Sequence, residues 1–268
     1  MNDIRIVFSD LDGTLLNSVH HVPPATGQML RELHRRGIVF CIVSARQPSA
    51  IRPFMQELGF PCPYICYGGA LILNADGHEI DQTRMDSLSA QKVFHFAAEN
   101  ADVSCFGAYE GDVWWAQEVS HPLIQMESRI TAVTPHPFPR DISGMRPHKF
   151  MFIAPQPEQC QRLLENLEHT FPSLHVVYSG FGNIEVTAAG VSKSSAMQKV
   201  CARFGLSAGQ AVAFGDSSND ADMLRAAGLG VAVANASDSV KDCADQITLS
   251  NDEEGVLHTL EKIFEINR

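Results

Sequence analysis

Two carboxylates stand two residues apart in Asp10-Leu11-Asp12-Gly13-Thr14, directly after the apolar run Ile4–Phe8. From a turn beyond a strand, one carboxylate can attack an electrophile while the other handles protons. Carboxylate nucleophiles form aspartyl-phosphates. A phosphate ester is itself anionic, so a site for that chemistry must supply positive charge. A Mg²⁺ ion held by carboxylate oxygens and water would supply it. Asp10 and Asp12 alone leave an octahedral ion short of ligands. Asp216 and Asp220, in Gly215-Asp216-Ser217-Ser218-Asn219-Asp220, are the natural further ones. Lys193 opens a helix after Ser192, where a cation opposes the helix dipole unless an anion sits nearby. The hydroxyls of Thr14 and Ser44 follow strands and can hydrogen-bond the same phosphate. Each motif alone also has a plain reading: Asp12-Gly13 as an Asx turn, and Ser44, Ser192 or Asp216 as helix caps.

Such residues must be delivered by strand ends, and the chain reads that way. Ile4–Phe8 and Ile38–Val43 have the near-continuous apolar character of strands buried on both faces. Helices from Pro23-Pro24 to Arg36 and from Pro48 to Leu58 alternate with them, and Gly37 and Gly59 are their stops. Leu71–Leu73 and His78–Ile80 flank Asn74-Ala75-Asp76-Gly77 as a hairpin. The pattern then changes. A helix at Ser89–Asn100 precedes strands at Val103–Tyr109 and Val113–Gln117. The proline-rich stretch Thr134–Pro147 reads as an irregular loop. A strand at Lys149–Ile153, a helix at Pro157–Thr170 and a strand at Leu174–Tyr178 follow it. The parallel pattern resumes with a helix after Ser192, strands at Ala211–Phe214 and Leu229–Val233, and a terminal helix from Glu253. The expected fold is α/β: a doubly wound, Rossmann-like parallel sheet over 1–82 and 183–268, split by an inserted α+β cap over 83–182. In such a sheet ligands bind beyond the carboxyl ends of the strands. Three strand ends would there deliver Asp10 to Thr14, Ser44 and Asp216 to Asp220 to one edge.

Composition narrows the partners. The net charge is −11 and no basic run stands out, which argues against nucleic acid. The longest apolar stretch, Cys62–Leu73, is broken by proline and glycine and too short to span a bilayer. Seven cysteines without CxxC or Cys/His spacing read as reduced core thiols. The first strand begins within a few residues of Met1, leaving no room for a signal peptide, so a cytoplasmic location is expected; the expected assembly is a monomer or homodimer. Trp114-Trp115 and Tyr109 suit a substrate pocket but read first as packing aromatics, and His20-His21, just beyond the first motif, read as solvated loop histidines before residues facing the site. Lys149 suits either a substrate anion or the surface.

Taken in order, these segments resemble the haloacid dehalogenase-like phosphatases, in particular the Cof-type branch with an α/β cap between the second and third motifs. The resemblance implies Asp10 as nucleophile and Asp12 as general acid/base. Ser44, Lys193, Thr14 and Asn219 would serve the phosphate. Asp216 would ligate Mg²⁺ with Asp220 in support, joined by the Asp10 side chain and the Asp12 backbone carbonyl. Asn235 resembles an asparagine that lies near the phosphate. The substrate class implied is a small phosphorylated metabolite, a sugar phosphate or a phosphorylated vitamin, enclosed by a closing cap. Three departures bear on substrate choice more than on mechanism: Ser44-Ala45-Arg46 for Thr/Ser-Gly-Arg, Tyr67-Gly68-Gly69-Ala70 for Asn-Gly-Gly/Ala, and Ser194 for a glycine. A phosphomutase or phosphotransferase would use the same site. A phospho-aspartate signalling module shares the acidic pair, hydroxyl and lysine but lacks the cap. A dinucleotide site fails, because Gly228-Leu229-Gly230 precedes a strand and lacks GxGxxG.

Overall fold

The computed structural model describes residues 3–101, 104–180 and 182–266. The chain runs β1 (Ile6–Asp10), α1 (Pro24–Arg35), β2 (Val39–Val43), α2 (Pro48–Leu58), β3 (Tyr64–Cys66), β4 (Leu71–Leu73) and β5 (Glu79–Gln82). It continues through α3 (Ser87–Glu99), β6 (Cys105–Glu110), β7 (Val113–Ala116), α4 (Pro122–Thr131), β8 (His136–Pro137), β9 (Lys149–Ile153), α5 (Pro157–Thr170), β10 (His175–Gly180) and β11 (Asn183–Thr187). It ends with α6 (Lys193–Arg203), β12 (Ala211–Gly215), α7 (Ala221–Ala226), β13 (Leu229–Ala232), α8 (Asp238–Lys241), β14 (Gln246–Ile247) and α9 (Gly255–Phe264). Two compact units result. One holds residues 1–45, 51–81 and 192–268; the other holds 46–50 and 82–191.

The first unit carries the sheet β14-β13-β12-β1-β2-β3-β4-β5. From β13 to β3 the pairs are parallel, and β4 returns antiparallel to β3. All five residues of β1 are buried, because neighbouring strands flank it and helices cover it on both faces. Ile6, Phe8, Cys41, Val43, Ala211 and Ala213 pack one face against Met197, Val200, Met223 and Leu224. Hydrophobic periodicity alone sets this strand at Ile4–Phe8, two residues early, since Ser9 and Asp10 look polar yet continue it. All seven cysteines are free thiols, and six of them are buried.

The second unit carries the sheet β10-β11-β9-β6-β7-β8, antiparallel except at β7–β8. Alternation sorts its side chains. Phe106, Ala108, Phe150, Phe152, Ile184 and Val186 form one face and pack with Val93, Ala97, Leu163 and Leu167 of α3 and α5. On the other face Lys149 pairs with Glu185 at 3.0 Å, and both are buried. Lys149 also lies 5.0 Å over the Tyr109 ring, which stacks on Trp114 at 5.6 Å. Lys149 is thus neither a surface residue nor an unpaired cation.

Two expectations are corrected. The unit boundary falls after Val191 rather than at 182/183, because β11 is the strand between β10 and β9 and completes the second sheet. The stretch from Pro122 holds a helix, α4, that the sequence reading passed over, and β8 interrupts the expected loop. The start of the expected strand at Val103 lies outside the described residues. No helix among the described residues is long and apolar enough to cross a membrane.

Candidate active site

β1 is flanked by β12 and β2, with Ser9 opposite Phe214 and Asp10 opposite Val43. Their carboxyl ends therefore present Asp10, Ser44 and Asp216 side by side, at the edge where open parallel sheets bind ligands. Asp10 is the last residue of β1 and is only 6% exposed. The chain then folds into a tight turn closed by the Leu16 N–H donating to Leu11 O at 2.9 Å. Leu11, Leu15 and Leu16 anchor that turn in the core. Gly13 takes φ +76°, a left-handed conformation that favours glycine. A Cβ at Gly13 would also come within 2.7 Å of Asp216 Oδ2.

Lys193 is the first residue of α6. Ser192 caps that helix by accepting from the Ser195 N–H, and the Ser195 hydroxyl answers the Ser192 N–H. The plain capping role and the site role of this segment therefore coexist. Lys193 Nζ donates to Asp10 Oδ1 and to Asp220 Oδ1, each at 2.6 Å, with all three groups buried. Burial works against the ammonium charge, but the two carboxylates hold it protonated above the ordinary lysine range. Asp220 Oδ2 accepts from the N–H groups of Asp216 and Ser217 at 3.1 and 3.0 Å. Both oxygens of Asp220 are thereby engaged, so it braces Lys193 and the 215–220 turn.

Thr14 Oγ1 donates to Asp216 Oδ1 at 2.9 Å, and Ser217 Oγ to Asp216 Oδ2 at 3.2 Å. Asn235 Nδ2 donates to Gly13 O at 2.8 Å, while Asn235 Oδ1 accepts from the Asn251 N–H at 3.0 Å. Asn251 Nδ2 in turn reaches Leu16 O at 2.9 Å. Asn235 and Asn251 thus brace the turn that carries Asp12 and Thr14. Sequence reasoning missed Asn251, and nothing in its local pattern marks it. Ser44 is buried at the end of β2, with its N–H donating to Ile65 O at 2.9 Å. Asp12 is 43% exposed at its side chain, and His20 Nδ1 lies 3.9 Å from its Oδ1. His20 is 63% exposed at its side chain, a solvated loop histidine beside the motif, in line with the sequence reading.

Oxygens of Asp10, Asp216 and Asp220 all lie within 4.8 Å of one another, and the Asp12 side chain stands outside this group. Burial, then the charge of Asp220, pushes the Asp216 carboxyl up to about 6. Burial also lifts Asp10 well above the carboxylate range; Lys193 opposes the shift, and Asp220, Asp216 and Asp12 add to it. The cluster thus holds more negative charge than Lys193 balances. Asn219 Oδ1 is buried without a hydrogen-bond partner among the described residues, an acceptor suited to an ion's hydration water. Hard oxygen donors, uncompensated charge and an orphaned acceptor fit a Mg²⁺ ion. Asp10 and Asp216 are the side chains that would hold it.

Comparison with known proteins agrees with this geometry. A family model described as haloacid dehalogenase-like hydrolase matches residues 7–260. A 5-amino-6-(5-phospho-D-ribitylamino)uracil phosphatase of Bacillus subtilis is 30% identical over 254 residues, covering 95% of this chain and 93% of its own. A phosphoglycolate phosphatase of Methanopyrus kandleri is 28% identical over 261 residues, 97% of each chain. The crystal structure of a haloacid dehalogenase-like hydrolase from Bacteroides thetaiotaomicron matches with a TM-score of 0.86 at 24% identity, over 97% of this chain and 100% of that one. That last likeness speaks for the fold. With its acidic strand ends, its buried lysine and this match over nearly the whole length, the chain belongs to the haloacid dehalogenase-like hydrolases.

Proposed function

We propose that the protein hydrolyses a phosphate monoester of a small metabolite, with Asp10 as nucleophile. The observation that carries this reading is Lys193 Nζ held 2.6 Å from both Asp10 and Asp220 at the carboxyl edge of the sheet. A lysine so buried and so fixed stabilises charge at one point, as phosphoryl transfer requires. When bound by Asp10 and Asp216, Mg²⁺ supplies the further positive charge that lets an anionic ester approach a carboxylate. Asp10 attacks phosphorus, and the bond to the leaving oxygen breaks. Asp12, whose side chain is 43% exposed, gives that oxygen a proton. Asp12 then takes a proton from the water that attacks the aspartyl-phosphate, releasing phosphate and restoring Asp10. Thr14, Ser44 and Asn219 provide polar contacts around the phosphoryl group.

A sugar phosphate or a phosphorylated vitamin is the substrate class we favour, and a ribityl phosphate substrate in the B. subtilis relative is in keeping with it. The test is phosphate release from a panel of phosphorylated metabolites, with Mg²⁺ or chelator, for wild type and Asp10→Asn. Release that needs Mg²⁺ and falls at least about 10³-fold in the variant is expected. A robustly active Asp10→Asn enzyme would overturn the assignment. Isomerised ester without free phosphate would mark a phosphomutase instead.

A further inference from the structure

The second unit contains a cluster that the proposed hydrolysis does not use. Gln82, Arg84 and Arg146 line a cavity of about 410 Å³, and the Met85 N–H donating to Pro147 O at 2.9 Å holds their two segments together. Gln82 Oε1 accepts twice there, from Arg84 Nε at 2.6 Å and from His148 Nε2 at 3.1 Å.

The direction of the second bond follows from His148. Its Nδ1 accepts the Gly111 N–H at 3.2 Å, so a neutral ring carries its proton on Nε2. The ring is neutral at pH 7, because burial and the nearby Arg84 charge push its pKa down to about 4. With Oε1 saturated by two donors, the Gln82 amide can turn only its Nε2–H₂ group outward, and that group has no acceptor among the described residues. Arg84 commits Nη1 to Glu110 at 3.2 Å and keeps Nη2. Arg146 is exposed and has no hydrogen-bond or ion-pair partner among the described residues. Among the described residues, the side chains that line the cavity turn donors into it, two guanidinium groups and one amide, and Glu110 offsets part of the Arg84 charge. Guanidinium forks match the planar oxygen pairs of carboxylate and phosphate.

We infer that Gln82, Arg84 and Arg146 form an anion-binding pocket in the inserted unit, taking one phosphate or carboxylate group. The His148–Gln82 bond acts by setting the polarity of the amide. The anion has two sources: a second acidic group on the substrate, which deepens the phosphatase reading and rests on it, or a free anion.

Sulfate titration of the full-length, Mg²⁺-loaded protein, followed in ¹H–¹⁵N spectra, tests the pocket without relying on turnover. Saturable shifts are expected at the Gln82 side-chain amide and at the Nε–H groups of Arg84 and Arg146. Affinity at these groups should fall roughly tenfold to a hundredfold in Arg146→Ala, the size of one lost charge-assisted bond. Gln82→Glu, which replaces the donor by a carboxylate, should abolish it. Absent shifts, or identical titrations in both variants, would overturn the pocket. The matched esters 3-phosphoglycerate and glycerol 1-phosphate separate the sources. A fall of roughly tenfold in their kcat/KM ratio in Arg146→Ala assigns the pocket to the substrate's own carboxylate. An unchanged ratio with weakened sulfate binding assigns it to a free anion. Sulfate shifts without hydrolysis of either ester or of any member of the metabolite panel would sink the phosphatase reading and leave the pocket standing.

Discussion

At the scale of residues, the site is a charge problem solved around one ammonium. Lys193 touches two buried carboxylates that would otherwise repel each other. Lys193→Met leaves both of them buried without their cation, a change that costs about 3–5 kcal/mol in comparable buried pairs. Urea unfolding in chelator should register a loss of that order, with part restored by Mg²⁺ through binding to the folded state. Equal stability of variant and wild type in chelator would contradict the pairing. His148 makes a second residue-scale prediction. Its pKa is about 4 in the fold against 6.5 for the free group, so as pH falls the unfolded chain takes up the proton first. The stabilisation is full above about pH 6.5 and drains away as pH falls towards 4. Two and a half units correspond to about 3 kcal/mol at most. Unfolding at pH 7 and pH 4 should show wild type losing up to that much more than His148→Asn; parallel losses would refute it.

At the scale of elements, turns matter more than strands. Gly215 ends β12, where a Cβ would lie 2.4 Å from Asp220 Cβ. Gly215→Ala must therefore push Asp220 off Lys193 and the two backbone N–H groups. Overpacking of this kind costs about 1–3 kcal/mol. A displacement near 1 Å at the site should lower kcat by roughly a hundredfold. Wild-type kinetics in Gly215→Ala would show that the turn tolerates the methyl group. The same scale explains what could be read in advance. Asp10, Asp12, Lys193, Asp216 and Asp220 follow apolar runs or open a helix, so their place at one sheet edge was legible from order alone. The Asp10–Lys193 bond itself was not, because it joins residues 183 positions apart. Asn251 stayed hidden for a like reason: its partners, Leu16 and Asn235, come from other segments. β11 was legible in the alternation of Asn183–Thr187 but its apolar positions are only Ile184 and Val186, and α4 was hidden because Gln125, Glu127, Ser128 and Arg129 dilute its apolar face.

At the scale of the whole molecule, an insertion separates the chemistry from a second sheet with its own core. The catalytic unit is assembled from three stretches of chain, and its central strand β1 pairs with β12, some two hundred residues later. Contacts of such sequence separation slow folding. The second unit keeps an independent apolar core under α3 and α5. Residues 82–191 expressed alone, which keep that sheet intact, should therefore give a cooperative unfolding transition, whereas ending the fragment at 182 removes β11 from between β10 and β9. Circular dichroism during urea unfolding compares the two fragments; equal stability would contradict the boundary at Val191.

The central claim is that phosphate passes through Asp10. Rapid acid quench of the enzyme during turnover, followed by borohydride reduction and peptide mass spectrometry, tests it most directly. Reduction of an aspartyl-phosphate yields homoserine, so conversion is expected at position 10 and nowhere else, and only when substrate and Mg²⁺ are both present. Conversion at another aspartate, or continued hydrolysis with no trapped residue at position 10, would contradict the account.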